Sequence, residues 1–285
     1  MARVLVTGGC GFIGSHLVEA LLGRGHQVIV VDNLSTGSLE NIAHILNQVE
    51  FYEDDIRNLV AIKRIMRGVD YVYHEAAVSS VMESIADVVR TNGANVSGTV
   101  NVLHASCDAE VKRVIYASSS AVYGNTATVP IIEATHPDTI SPYAASKIAG
   151  EMYMHAFYHS YGLETISLRY FSVYGPRQES DSEYAAVIPR FIQTMLKGDL
   201  PIIYGDGKQS RDFVYVEDVV TANLLAMDTR NTYGQALNIG SGHSTSIGEL
   251  FCCLQEIVGV EGGPVFRKMR TGDVKHSWAD IHSAS

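Results

Sequence analysis

The sequence predicts an α/β fold, in which a doubly wound parallel (Rossmann) sheet carries a smaller, loop-rich α/β domain for a substrate. Short β-branched runs alternate with longer amphipathic stretches through the first 170 residues. Such alternation is typical of parallel strands that are joined by crossover helices. The first run leads directly into a glycine-rich turn, which is where a doubly wound sheet binds a dinucleotide.

The predicted strands follow one another with helical patterns between most of them. They span residues 3–7, 27–31, 50–52, 71–74, 113–118 and 165–169. After residue 170, Gly-Pro, Asp-Ser-Glu and Gly-Asp-Gly sequences divide the chain into short pieces, which predicts loops that carry substrate contacts. In this region we expect a helix over residues 217–227 and a strand over residues 235–239 that returns to the first sheet.

Composition excludes several classes of protein. The chain has 285 residues, of which 46% are hydrophobic and 18% charged, so it is expected to fold as one large unit or as a domain with a satellite. The net charge of −10 offers no basic surface for nucleic acid. No apolar run approaches the roughly 18 residues that cross a bilayer. Because Met1 is followed by strand-like residues and not by a signal region, we expect a cytoplasmic protein with no membrane partner.

The four cysteines are predicted to be small packing residues. Cys10, Cys107, Cys252 and Cys253 show neither zinc-site spacing nor a CxxC pair. A disulfide framework is not expected in a chain of this size, and no metal ligand is predicted.

The first strand runs into Gly8-Gly9-Cys10-Gly11-Phe12-Ile13-Gly14, and a helical pattern follows. These glycines permit a tight turn whose backbone amides face a pyrophosphate, although the GxxGxxG spacing alone is equally consistent with a structural turn. The second strand ends at Asp32, eighteen positions beyond Gly14. A carboxylate there accepts hydrogen bonds from ribose hydroxyls and repels a 2′-phosphate. Since residues 33–37 contain no arginine, NAD is predicted in preference to NADP.

A second motif indicates acid–base chemistry. Ser141-Pro142-Tyr143 opens a predicted helix, with the serine as N-cap and the proline at the first helical position. Tyr143 and Lys147 are four residues apart and therefore lie on one face. An ammonium group and a helix N-terminus both favour the phenolate, which suits a general base. The strand that ends in Ser118-Ser119-Ser120 adds hydroxyl groups at the carboxyl edge of the sheet, where doubly wound folds bind ligands.

Ten segments in the same order resemble the extended short-chain dehydrogenase/reductase family, and within it the nucleotide-sugar epimerases typified by UDP-glucose 4-epimerase. The segments that carry this resemblance are residues 7–16, 32–37, 55–57, 74–77, 95–99, 117–124, 141–147, 168–178, 204–218 and 272–280. They cover nearly the whole chain and are more specific for the superfamily than for the substrate. The resemblance implies an NAD-binding domain over residues 1–171, rejoined by about 212–240. It places the nucleotide-sugar-binding region at residues 172–211 and 241–285.

The resemblance also implies roles for individual positions. The implied catalytic residues are Ser119, Tyr143 and Lys147. The implied cofactor-binding residues are Gly8, Gly11, Phe12, Ile13, Gly14, Asp32, Asn33, Ser35, Thr36, Gly37, Asp55, Ile56, Ala76, Ala77, Asn95, Ser118, Tyr143, Lys147 and Tyr170. The implied substrate-binding residues are Ser80, Val81, Ser120, Ser172, Ala186, Val187, Phe191, Ile202, Tyr204, Arg211, Arg270 and Ser277.

Within these sets, Ser118 is expected to face the cofactor, and Arg211 and Arg270 are expected to clamp the diphosphate. The alternative for Arg211 is a surface ion pair with Asp212 or Glu217. His74, beside the cofactor segment, is predicted to be a packing residue and not a base.

Three positions depart from the family pattern. Ser172 stands where relatives usually have an asparagine that contacts the diphosphate. Glu75 replaces a commonly apolar residue, and the sequence offers no account of it. Ser277 stands where some epimerases carry a tyrosine at the wall of the sugar pocket, which leaves space for an N-acetylated sugar.

The residues after the three serines help to select the reaction. Dehydrating and decarboxylating relatives carry a carboxylate there, whereas this chain has Ala121-Val122-Tyr123. The resemblance therefore implies 4-epimerisation of UDP-glucose and UDP-galactose, and of the N-acetylated pair, through a transient 4-keto sugar. The alternatives are a UDP-glucuronate 4-epimerase, another NAD-dependent nucleotide-sugar oxidoreductase, or a non-catalytic NAD-binding sensor. A homodimer is expected by analogy, through helical stretches at residues 88–107 and 144–161.

Overall fold

A seven-stranded parallel sheet forms the centre of the computed structural model, which describes residues 1–179, 186–230, 232–268 and 274–284. The strands are β1 (Arg3–Thr7), β2 (Gln27–Asp32), β3 (Glu50–Glu53), β4 (Tyr71–His74), β5 (Arg113–Ser119), β6 (Glu164–Tyr170), β7 (Ser172–Tyr174), β8 (Ile202–Tyr204), β9 (Ser210–Arg211), β10 (Phe213–Tyr215), β11 (Gln235–Ile239), β12 (Thr245–Ser246), β13 (Val265–Arg267) and β14 (His276–Ser277).

The helices flank this sheet or belong to the smaller part of the molecule. They are α1 (Phe12–Gly23), α2 (Leu59–Ile65), α3 (Val81–Ala86), α4 (Val88–Asn92), α5 (Thr99–Asp108), α6 (Pro142–Tyr161), α7 (Val187–Leu196), α8 (Val216–Asp228) and α9 (Ile247–Val258). A π-helical segment, Gly93–Gly98, joins α4 to α5, so the predicted helical stretch at residues 88–107 is not one regular α-helix. Among the described residues, no helix is both long and apolar enough to cross a membrane.

The strand order β11-β6-β5-β4-β1-β2-β3 confirms the predicted doubly wound sheet. Successive strands are added on one side of β1 up to β3 and on the other side from β4 onward. In open parallel sheets, ligands bind beyond the carboxyl ends of the strands at such a switch in strand order. The predicted strand over residues 235–239 is present, and it pairs in parallel with β6 at the edge of the sheet. Other predicted strands differ from the observed ones only by single residues at their ends.

Apolar side chains from both faces of the sheet pack against helices. One face packs against α1 and α8, and the other packs against α2, α5 and α6. Helix α6 packs tightly on β5. A Cβ atom added to Gly150 in α6 would lie 2.3 Å from the hydroxyl oxygen of Tyr116 in β5. This glycine lets the helix lie directly on the strand that carries the serines.

The smaller part of the molecule consists of short sheets and two helices. Strand β7 pairs with β10, β8 pairs with β13, and β9 lies between β12 and β14. Helices α7 and α9 pack together through their own apolar cluster. In α9 the apolar face is directed inward, which leaves Cys252 and Cys253 exposed, so the prediction that all four cysteines are packing residues is wrong for these two.

Candidate active site

The glycine-rich turn between β1 and α1 forms one end of a cavity of about 730 Å³. Gly8 has a φ of +71°, and a Cβ atom there would lie 2.7 Å from the backbone nitrogen of Ala76. A Cβ atom on Gly14 would lie 2.2 Å from the carbonyl oxygen of Gly8. Helix α1 begins at Phe12, and its N-cap Gly11 has no side chain to cover the first-turn amides. The turn therefore presents backbone donors to the cavity, as a diphosphate requires.

Asp32, at the carboxyl end of β2, accepts hydrogen bonds that fix the glycine-rich turn and the residues after β2. Its Oδ2 accepts a hydrogen bond of 2.9 Å from the Cys10 backbone, and its Oδ1 accepts one of 2.9 Å from the Leu34 backbone. Burial raises the pKa of Asp32, and these two bonds oppose the shift. A carboxylate oxygen can accept more than one bond, so the side chain can hold the turn and also accept from a ribose.

The cavity wall near Asn33 contains a cation, Arg57, that the sequence prediction missed. Arg57 donates to both carboxylate oxygens of Asp55, at 2.9 and 2.7 Å, and lowers the pKa of that carboxyl to about 2. Asn33 donates to the same carboxylate at 2.7 Å. Since Arg57 is already engaged with Asp55, its charge in this part of the wall is largely neutralised.

Nearly all the predicted cofactor residues line this one cavity. They are Gly8, Gly11, Phe12, Ile13, Gly14, Asp32, Asn33, Ser35, Thr36, Gly37, Asp55, Ile56, Ala76, Ala77, Ser118, Tyr143, Lys147 and Tyr170. Ser80, Ser119 and Ala186 also contribute to its wall.

Two cofactor predictions differ from the structure. Asn95 does not line the cavity, because its buried amide bonds with the Val78 backbone in both directions, at 2.8 and 3.0 Å, and donates to Ser146. It therefore positions the segment after β4 and does not contact the cavity itself. Ser118 reaches the wall, but its hydroxyl donates to Glu151 and not toward the cavity. Alternation along β5 explains this, since neighbouring side chains of a strand point to opposite faces.

Ser119, Tyr143 and Lys147 meet at the wall of the cavity. Helix α6 begins with Ser141 as N-cap, which accepts from the Ala144 backbone at 3.1 Å. Lys147, one turn beyond Tyr143, is 3% exposed and lies 5.8 Å from the centre of the phenol ring. Its ammonium group donates to the Ala117 carbonyl at 2.7 Å, which fixes it against β5.

Burial has the largest effect on the pKa values of Tyr143 and Lys147. It raises the pKa of Tyr143, and a hydrogen bond with Ser119 opposes that shift. It lowers the pKa of Lys147 to about 8, while the carboxyl groups of Glu75 and Glu151 act in the opposite direction. The sequence predicted stabilisation of the phenolate by a nearby cation and missed the larger effect of desolvation. The arrangement can hold a proton on the phenol and pass it to an oxygen placed beside Ser119.

The residues behind this group are structural. His74 lies between the hydroxyls of Thr7 and Thr99, at 2.7 and 2.9 Å. Burial lowers the pKa of His74 to about 3, so the ring is neutral, which confirms the prediction that it is a packing residue. On the other side of Lys147, Glu151 forms a buried ion pair with Arg169, at 2.6 Å.

A second cavity, of about 350 Å³, adjoins the first, and Val173, Gln178 and Ala186 line both. The predicted substrate residues in its wall are Ser172, Ala186, Val187, Phe191, Ile202, Tyr204 and Arg211. Asp212, which the sequence offered as an ion-pair partner for Arg211, instead accepts hydrogen bonds from the Ser241 and Gly242 backbones.

Several predicted substrate residues lie elsewhere. Val81 opens α3, and Ser120 opens a 3₁₀ turn, and neither lines these two cavities. Ser277 also lies outside both linings, and it pairs with Arg211 across β14 and β9. Arg270 lies outside the described residues.

Arg177 belongs to the cofactor cavity although the sequence did not single it out. Its guanidinium donates to Glu19 and to the Ser15 hydroxyl of α1. The only local signal for this arrangement is the Gly175-Pro176 turn just before it.

A family model described as the NAD dependent epimerase/dehydratase family matches residues 4–240. The chain belongs to this family. Membership confirms the predicted NAD-dependent enzyme and its cofactor. The residues present fit NAD. The turn of Gly8 and Gly14 leaves space for the diphosphate that a Cβ would fill, and the Asp32 carboxylate can accept hydrogen bonds from the ribose.

The sequences of several members of the epimerase/dehydratase family align with almost all of this chain. A UDP-glucose 4-epimerase of Mycolicibacterium smegmatis is 38% identical over 98% of this chain and 90% of its own. The UDP-N-acetylglucosamine 4-epimerase of Methanobrevibacter ruminantium, solved with UDP-N-acetylmuramic acid, is 41% identical with a TM-score of 0.95, over 99% of this chain and 90% of that one. The UDP-glucose 4-epimerase of Thermotoga maritima, solved with UDP-glucose, is 42% identical with a TM-score of 0.94, over 99% and 91%.

Replacing Asp32 tests the basis of the preference for NAD in this family member. Asp32→Ala removes a charged acceptor, which contributes about 1.5–3 kcal/mol, so NAD should bind roughly 10- to 100-fold more weakly. Discrimination against NADP should relax, because the charge that repels a 2′-phosphate is lost. Titration of the cofactor-free protein with both dinucleotides measures both effects.

Asp32→Asn is the matched control, since it loses the charge but keeps one oxygen, which can accept from the backbone of either Cys10 or Leu34. It should show relaxed discrimination with a smaller loss of NAD affinity. An unchanged NAD-to-NADP ratio in both variants would place the specificity in other residues.

Proposed function

We propose that the protein interconverts UDP-glucose and UDP-galactose by epimerisation at carbon 4, with NAD as a cofactor that is regenerated in each turnover. The observation that carries this proposal is the position of Tyr143, Lys147 and Ser119. They lie in the wall of the cofactor cavity, which shares Val173 and Ala186 with the neighbouring cavity. A sugar that extends from the second cavity into the first would meet the acid–base group beside the cofactor.

In this mechanism Tyr143 takes the proton from the 4-hydroxyl of the sugar and later returns it. Ser119, hydrogen-bonded to the phenol, shares that proton and orients the hydroxyl. Lys147, held by the Ala117 carbonyl, supplies the positive charge that makes a phenolate accessible in a buried site. The glycine turn and Asp32 would hold NAD, which would supply the hydride acceptor and donor for carbon 4. Proton and hydride both return, so no second substrate is consumed.

The second cavity suits the nucleotide. Its wall includes the apolar side chains of Phe191 and Ile202, against which a base can stack, and it includes Arg211, which can pair with a diphosphate. We therefore propose that residues 172–211 and 241–285 bind the UDP-sugar. Residues 1–171 and about 212–240 would bind NAD.

The segment after the serines supports epimerisation over dehydration. Val122 and Tyr123 are buried, and the Tyr123 hydroxyl donates to Asn238 at 2.6 Å. The 3₁₀ turn Ser120–Tyr123 therefore contributes no carboxyl group that could act as an extra acid in an elimination.

Tyr143→Phe tests the proposed base. The variant lacks the phenol oxygen, so turnover of UDP-glucose should fall by roughly 10²- to 10⁴-fold, the range for a lost general base. Bound NAD should remain, because the glycine turn and Asp32 are unchanged. Tyr161→Phe, at the exposed end of the same helix, is the control and should retain full activity. Near-normal turnover by Tyr143→Phe would contradict the mechanism.

We further propose that the N-acetylated pair, UDP-N-acetylglucosamine and UDP-N-acetylgalactosamine, is accepted. Ser277 is small, and its strand lies beside Arg211 of the second cavity. Ser277 itself lies outside the lining of both cavities, so the proposal requires the longer side chain of a tyrosine to reach past Arg211 into the volume that an acetamido group needs when the keto sugar turns.

Ser277→Tyr should lower kcat/KM for UDP-N-acetylglucosamine at least about tenfold while sparing UDP-glucose, since a steric mismatch of this kind is worth about 1–3 kcal/mol. Ser277→Ala, which removes only the hydroxyl, should leave both activities in place. Equal losses on both sugars in Ser277→Tyr would contradict the proposed effect of residue 277 on substrate size. UDP-glucuronate should be tested beside them as the competing substrate.

A homodimer is proposed through the face formed by α3, α4 and α6. Helices α3 and α4 both pack on α6. Their outer surface exposes a run of large apolar side chains, which is typical of an interface. These side chains are Val81, Met82, Ile85, Val88, Val89, Met152 and Tyr153.

Val89→Asp should weaken this dimer, because Val89 is 84% exposed and a charge buried at an interface is costly. Sedimentation equilibrium should show a shift toward monomer. Val60→Asp is the matched control, since Val60 is 82% exposed on α2. A wild-type protein that is monomeric at all concentrations would rule the dimer out.

A further inference from the structure

Glu75, the residue that departs from the family pattern, lies in the wall of the cofactor cavity just after β4. Its carboxyl group is held in place from the sheet side. The Tyr170 hydroxyl donates to Oε1 of Glu75 at 3.0 Å and accepts from the Asn223 amide at 2.7 Å. Asn223 is anchored in turn by the Val219 carbonyl at 2.9 Å. The carboxyl position is therefore fixed by Tyr170 of β6, which Asn223 of α8 holds in turn.

The charges around Glu75 leave it without a dedicated partner. Lys147 from α6 and Tyr170 from β6 influence its pKa, and Tyr73 on β4 is influenced by it. Glu151, the other carboxylate near Lys147, has its own partner in Arg169. Among the described residues, no cationic side chain approaches the Glu75 carboxylate closely enough to form an ion pair.

A carboxylate placed in a cavity wall without its own cation is stabilised when a cationic ligand occupies that cavity. The nicotinamide ring of NAD is positively charged when oxidised and neutral when reduced. Glu75 lies in the same wall as Tyr143 and Lys147, the residues that must flank the reacting end of the cofactor if the proposed function holds.

We propose that the Glu75 carboxylate stabilises the oxidised state of the bound cofactor relative to its reduced state. The inference rests on the proposed function for the location of the reacting end. An enzyme whose cycle begins and ends with NAD benefits, because a lower tendency toward the reduced state shortens the time during which a keto sugar can escape. Through Glu75 the protein would thus suppress accumulation of the inactive reduced form.

The effect should depend on pH. Burial raises the pKa of Glu75 to about 7, while the Tyr170 bond and the charge of Lys147 lower it. The carboxyl group is therefore neutral in acid and resembles glutamine there. It becomes charged as the pH rises through 7, so the difference between wild type and Glu75→Gln should grow from pH 6 to pH 8.

The test measures the ratio of bound reduced to bound oxidised cofactor. Wild type and Glu75→Gln, each with bound cofactor, are equilibrated with a reference redox dye of known potential. Reduction of the bound cofactor takes two electrons from the reduced dye and one proton from the buffer. The ratio is read from the near-ultraviolet absorbance of the reduced nicotinamide. At pH 8 the ratio should rise about tenfold in Glu75→Gln, which is about 30 mV for a two-electron couple. At pH 6 the rise should be less than about twofold.

Two variants serve as controls. Glu75→Asp keeps the charge and should give a ratio closer to wild type than Glu75→Gln does. Glu83→Gln removes a carboxylate that lines the same cavity but is paired with Arg90, and it should leave the ratio within about twofold of wild type. An equal ratio in wild type and Glu75→Gln at pH 8, or an equal rise in Glu83→Gln, would overturn the proposal.

Loss of cofactor from Glu75→Gln would not prevent the test. The ratio of the dissociation constants for NAD and its reduced form reports the same free-energy difference by linkage, and titration of the cofactor-free variant measures it. Both measurements are independent of turnover. If the wild type bound NAD but epimerised no UDP-sugar, the proposed function would fail while the ratio still decided the role of Glu75.

Discussion

The close packing of α6 on β5 is the constraint on which the site depends. Gly150 has no Cβ to collide with the Tyr116 ring, so α6 packs directly on this side chain of β5. At that distance the side chains spaced one turn apart along α6 reach the carboxyl end of β5. Lys147 donates a hydrogen bond to the Ala117 carbonyl, and Glu151 accepts one from the Ser118 hydroxyl. A larger residue at position 150 would collide with the buried Tyr116 ring.

The same packing places several ionisable groups in a region of low dielectric. Burial disfavours the charged form of each of them, and their mutual arrangement offsets this cost to different degrees. Arg169 holds its charge because Glu151 pairs with it and because Tyr123 accepts from it at 2.7 Å. Lys147 lies between this pair and the Glu75 carboxyl. Both carboxyl groups therefore support the charge of the amine, whereas Glu75 has no ion-pair partner of its own among the described residues.

The smaller part of the molecule is attached through buried polar contacts. The Asp212 carboxylate, fully buried, accepts from the Ser241 hydroxyl at 2.7 Å and from the Ala279 backbone at 3.1 Å. Asn238 in β11 donates to the Ile131 carbonyl at 2.8 Å. These contacts tie segments that are distant in sequence to the edge of the main sheet. The two cavities consequently share a wall, which is the geometric condition for a ligand that spans both.

The sequence by itself determined the sheet, the glycine turn, Asp32 and the spacing of Tyr143 and Lys147, because periodicity, turn chemistry and helix spacing are local properties of the chain. It could not determine contacts between distant elements. Tyr170 and Glu75 are 95 residues apart, and only the order of strands in the folded sheet brings them together. The engagement of Asn95 by the Val78 backbone likewise depends on where the helices pack. Such contacts arise from tertiary packing, and no local pattern encodes them.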